Sequence, residues 1–158
     1  MERRLLEIYL ADHHAAAAAG VELARRATRN NLGTDTGIVL AQVADEIAED
    51  RRTLERLMRT LEMRSSPVKV ALARVTELGS RLKPNGRLTG YSPLSRVLEL
   101  ETLALGIAGK RKMWQAFASV DRLQGVDGFD FAGLAARAEA QHAAVEACRR
   151  QAAEVAFD

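Results

Sequence analysis

The stretch LAQVADEIAEDRRTLERLMRTL, Leu40 to Leu61, puts Leu40, Val43, Ile47, Asp50, Leu54, Leu57 and Leu61 on one helical face. All but one of these residues are apolar; the exception, in the middle, is a carboxylate. An unpaired carboxylate is costly to bury, so Asp50 must find a cation, a hydrogen-bond donor or a metal, or take up a proton. The rest of the chain is therefore read for what it brings to Asp50.

Upstream, a helix is expected from about residue 2 to residue 30, ending where NNLGTDTG crowds turn residues together. Its stripe reads Leu6, Leu10, His13, Ala17, Val21 and Ala24, so His13 also interrupts a seam. The run Ala15 to Ala19 is strongly helix-forming and slim enough for a neighbouring helix to approach closely. The second helix is expected over 36–64, with Thr36 as N-cap, after an antiparallel turn near Gly33 that sets His13 level with Asp50. A buried pair of His13 and Asp50 follows from that register.

Downstream, Pro67 opens an amphipathic helix over 67–82, followed by a loop rich in Gly and Asn. Arg64, Lys69, Arg74, Arg81, Lys83 and Arg87 face only Glu77 in this connection, which gives it a basic surface. Ser92 and Pro93 then start a helix over 93–120. One of its stripes contains Leu94, Leu98, Glu101, Leu105 and Ala108, and another contains Leu100, Leu103, Ile107 and Trp114. Two apolar sides require two neighbours: the bundle covers one, and the connecting helix or a second subunit the other, a homodimer being expected. Lys110, Arg111 and Lys112 read as a solvated patch. The last helix, over 131–157, carries the seam Phe131, Leu134, Ala138, Gln141, Val145, Cys148, Ala152 and Val155. Each long helix thus turns one polar residue inward, and His13, Asp50, Glu101 and Gln141 form the expected buried cluster.

With 158 residues, 47% apolar and 28% charged, the chain suits one domain with a real core and is too apolar to be disordered. A single cysteine cannot close an internal disulfide, so a cytoplasmic setting is expected, with Cys148 as a small buried residue. No secretory segment and no membrane span are expected. A net charge of +2 and the absence of a recognised motif argue against nucleic acid.

Four long helices with a long connection between the second and third resemble the ferritin-like superfamily, an all-α four-helix bundle. The motif that carries the resemblance is Glu139-Ala140-Gln141-His142 on the last helix, with Glu101, or less well Glu99, as the third-helix carboxylate. The second helix brings Glu46, Glu49 and Asp50 but no His at the corresponding step. The resemblance implies a candidate metal set of Glu46, Glu49, Asp50, Glu101, Glu139 and His142 holding Fe, Mn or Zn in an oxidoreductase or iron-handling protein. The incomplete motif favours a binding or structural protein without a cofactor. A further reading is an adaptor that meets acidic partners through Arg74, Arg81, Lys83 and Arg87.

Overall fold

The computed structural model describes residues 3–63 and 90–158. They form α1 (Arg3–Asn30), α2 (Asp35–Thr60), α3 (Pro93–Ser119), the single-turn α4 (Asp121–Gln124) and α5 (Phe131–Phe157). Among the described residues there is no strand, and no helix is long and apolar enough to cross a membrane. The helix expected over 67–82, and Arg74, Arg81, Lys83 and Arg87 with it, lie outside the described residues.

Local chemistry fixes the helix starts. Ser92 caps α3, its hydroxyl accepting from Ser95 N at 3.1 Å, and Asp130 caps α5, accepting from Gly133 N at 2.8 Å. The cap of α2 is Thr34 rather than Thr36: its hydroxyl accepts from Gly37 N at 3.0 Å and donates to the Asn31 carbonyl at 2.7 Å. That geometry presses α2 against the end of α1, and a Cβ on Gly37 would stand 2.1 Å from the Asn31 carbonyl oxygen. Gly37→Ala is accordingly expected to destabilise the protein by about 1–2 kcal/mol, the backbone clash outweighing the better helix propensity of Ala. A lower urea midpoint with an unchanged slope is the result to look for.

Arg3 Nη2 donates to the Glu62 carbonyl at 2.7 Å, which brings the start of α1 beside the end of α2. At the opposite end Asn31 Nδ2 donates to Tyr91 Oη at 3.4 Å, so α3 begins where α1 finishes. From there α3 descends against α1, and α5 climbs back along α3 with Arg111 paired to Glu139 and Arg149 3.7 Å from Glu101. The two long hairpin partners, α1 with α2 and α3 with α5, pack most extensively; α1 meets α3 over a shorter length.

Of the two stripes on α3, the heavier one wins the core. Leu100, Leu103, Ile107, Trp114 and Phe117 are all buried, whereas Leu105 on the other stripe is 70% exposed. Trp114, Phe117 and Phe131 stack or meet edge-on with ring centroids 5.7–6.1 Å apart, closing the end where α3 passes into α5. Leu123, on α4, is buried at the same turn. Large aromatic surfaces contribute most per residue to burial, which is why the stripe carrying Trp114 faces inward.

Candidate functional site

Asp50 sits at the centre of the described core, 2% exposed, as the α2 seam requires. Its Oδ2 accepts from Lys110 Nζ at 2.5 Å and from Gln141 Nε2 at 3.1 Å, while its Oδ1 accepts from Arg137. Gln141 closes the network: its Oε1 accepts from Lys110 Nζ at 2.5 Å, and its Nε2 also donates to Glu46 Oε2 at 3.1 Å. Three helices therefore meet through one carboxylate. Two acids and two bases balance, and every oxygen of Asp50 is engaged, which is the condition for burying charge at tolerable cost.

This differs from the pair of His13 and Asp50 read from the register. The ammonium of Lys110, whose ordinary pKa is far above that of an imidazole, reaches across from α3 and takes the place expected of His13. The link between the first two helices is instead His14 Nε2 to Glu55 Oε1 at 3.1 Å, just over a turn from Asp50. Lys110 is no part of a solvated patch: its side chain is 15% exposed, and burial lowers its pKa despite the pull of Asp50. The neighbouring Arg111 is turned toward Glu139 on α5. Lys110 falls on the inner stripe of α3, between Ile107 and Trp114, and that spacing is the signal that could have found it.

The other sequence candidates are spread out. Glu101 is half exposed beside Arg149, because its stripe lost the competition for the core. Glu139 is exposed and held by Arg111. Glu49 pairs with Arg52 at 2.7 Å and Arg56 at 3.6 Å beside a separate, open cavity of about 260 Å³ near the start of α5. His142 is half-buried on α5 and is not among the partners of Asp50. Cys148 is buried, and that burial pushes its thiol pKa up, as suits a packing residue. Glu99, ranked behind Glu101 as the third-helix carboxylate, is the buried one of the two, and accepts from Arg26 Nε at 2.8 Å, Tyr91 Oη at 2.9 Å and Asn30 Nδ2 at 3.2 Å.

Beside the Asp50 network, α1, α2 and α3 line a cavity of about 190 Å³ that is partly open to solvent, with exposed Ala16, Gly106 and Gly109 in its wall. The slim faces make it: Ala16, Ala17 and Gly20 of α1 line it opposite Gly106 and Gly109 of α3. The close approach expected at the alanine run is not realised, for a Cβ built on Gly20, Gly106 or Gly109 meets nothing within 4 Å. The remaining wall is mainly apolar, with Ile47, Leu54, Leu103, Ile107 and Met113. Its polar edge consists of His13, Asp50, Arg51, Thr102, Lys110 and the indole of Trp114. An apolar hollow with a few convergent polar groups is the usual form of a small-molecule site.

His13 lines this cavity and stacks edge-on against Tyr9, centroids 4.6 Å apart. Burial lowers its pKa below the ordinary 6.5, with Asp12 pulling the other way. Below pH 6.5 the unfolded chain therefore takes up this proton more readily than the folded one. The stability tied to neutral His13 is present above that pH and is lost as pH falls through the folded value. His13→Leu is expected to flatten this acid limb, and proton NMR titration of His13 in the wild type is expected to give a midpoint below 6.5.

Comparison with protein-family models, curated proteins and solved structures finds no match for this chain.

Proposed function

We propose that the protein binds a small, mainly apolar molecule in the cavity between α1, α2 and α3, without catalysing its conversion. The observation that carries this reading is the cavity itself: about 190 Å³ of space walled by apolar side chains and edged by an ordered ion-pair network. A cavity of about 150 Å³ with apolar walls is known to hold benzene, so this one suits a single ring with a short substituent. The Asp50 network acts as a rigid floor that fixes the spacing of α2, α3 and α5.

The helix order supports the resemblance to a ferritin-like four-helix bundle. α2 ends beside the start of α1 and α3 begins beside its end, so α2 and α3 run in the same direction, as in a bundle with one long crossover. The di-iron set fits less well. Among the described residues no three His, Cys, Asp or Glu side chains stand close enough to hold a metal ion, and Lys110 and Arg137 already occupy both oxygens of Asp50. A metal there would have to displace two cations.

Titration of the isotope-labelled protein with toluene tests the binding reading. Shifts are expected at the amides of Gly20, Gly106 and Gly109, with saturation and a rise in melting temperature. Gly106→Leu fills open space and replaces Gly in a helix, so it is expected to fold with undiminished stability and to abolish those shifts. Toluene that leaves the three amides unmoved, or that binds Gly106→Leu equally well, would remove the proposal.

A further inference from the structure

Packing of Trp114 and Phe117 turns one stripe of α3 inward and leaves the other outside. The outer stripe, flanked by α1 and α5, holds Leu94, Leu98, Glu101, Leu105, Ala108, Lys112 and Ala116, spaced three or four residues apart. Leu105, at its centre, is 70% exposed. The side chain of Glu101 is 45% exposed, and Lys112 is exposed with no carboxylate partner among the described residues. Arg149 gives its short bond, 2.6 Å, to Glu146 and stands 3.7 Å from Glu101, so the Glu101 carboxylate keeps room for a second cation.

The stripe is complementary to its own reversal. Against a second copy running antiparallel, about a two-fold axis between Gly106 and Ile107, Leu105 meets Ala108, Leu98 meets Ala116 and Glu101 meets Lys112, each contact occurring twice. Small residues opposite leucines let the two helices approach to the usual distance of about 8–10 Å. A parallel arrangement would instead set Glu101 against Glu101 and Lys112 against Lys112, and repulsion disfavours it. An acidic or a basic partner would satisfy only one of the two charges. We infer that the protein self-associates through the outer stripe of α3 as an antiparallel two-fold dimer, whatever the cavity holds.

Sedimentation velocity of the full chain is expected to show a dimer that dissociates on dilution in the micromolar range, because one helix face per protomer lies at the small end of stable interfaces. Leu105→Glu is expected to raise the dissociation constant roughly a hundredfold, by placing a charge at the centre of the contact. The helical circular dichroism spectrum should survive this change, since Leu105 lies outside the protomer's own core. Glu101→Lys and Lys112→Glu are each expected to weaken the dimer roughly tenfold, and the two together to restore it, because the exchange re-forms both pairs with their signs reversed. A monomer at every concentration would overturn the inference, as would a dimer indifferent to Leu105→Glu, which would place the interface on another face. A dimer that Leu105→Glu weakens, but in which the paired charge exchange does no better than either single change, would overturn the antiparallel register.

Discussion

Asp50→Ala is expected to lower the unfolding free energy by about 3–5 kcal/mol, the usual consequence of removing one partner from a buried ion pair. The argument turns on what is left behind. Arg137 is one-third exposed and can swing toward solvent, but Lys110 has a side chain only 15% exposed and is held in an apolar wall. Without Asp50 it must either lose its proton or draw water into the core, and Gln141 loses an acceptor as well. The double variant Asp50→Leu with Lys110→Met is expected to recover most of the loss, because a charge pair replaced by apolar groups of similar size is often neutral. A double-mutant cycle by urea unfolding measures that coupling. If the two single losses simply added, Asp50 and Lys110 would not be acting as a pair. Asp50→Asn has a separate use: it is expected to leave the His13 titration in place, since burial and Asp12, not Asp50, govern that imidazole.

Asp50 and its network show how far a sequence can be read. The seam of α2 identified the buried acid because one charge among regularly spaced apolar residues has no other explanation, and Gln141 was found in the same way on α5. Lys110 was not, because it stands in a run of three basic residues on a helix with two apolar stripes, and a basic run ordinarily faces water. Which stripe faces inward depends on the bulk of Trp114 and Phe117 packing against Phe131, a tertiary fact. Glu101 and Lys110 exchanged roles for that one reason. The cavity was half legible: Ala15 to Ala19 announced a slim face on α1, but whether a neighbour closes on such a face or leaves it open depends on the helices that set the spacing. The order of the long helices survived these errors because caps, turn residues and periodicity act locally.

Glu99 supplies the second large effect. Its side chain is 4% exposed and gathers Arg26 and Asn30 from the end of α1 together with Tyr91 from the start of the α3 segment. These contacts pin the end of α1 to the start of α3. Glu99→Ala is expected to cost about 2–3 kcal/mol, less than Asp50→Ala because Arg26 is nearly half exposed and can find water when the carboxylate is gone. Glu99→Gln keeps the shape and one acceptor but turns an amide toward donors, so a loss of about 1–2 kcal/mol is expected. Tyr91 provides a reading that a merely local packing defect would not move. Burial and the neighbouring Glu99 charge, partly offset by Asn31, push its phenol up to about 12 from 10.0. The unfolded chain therefore ionises first: stability held below pH 10 is lost as pH rises through about 12. In a Tyr9→Phe background, which leaves Tyr91 as the one titrating phenol, Glu99→Ala is expected to lower the midpoint of the ultraviolet titration and to soften the alkaline loss of stability. A midpoint that stays near 12 in Glu99→Ala would show that burial alone holds the phenol neutral and that Glu99 acts only through Arg26 and Asn30.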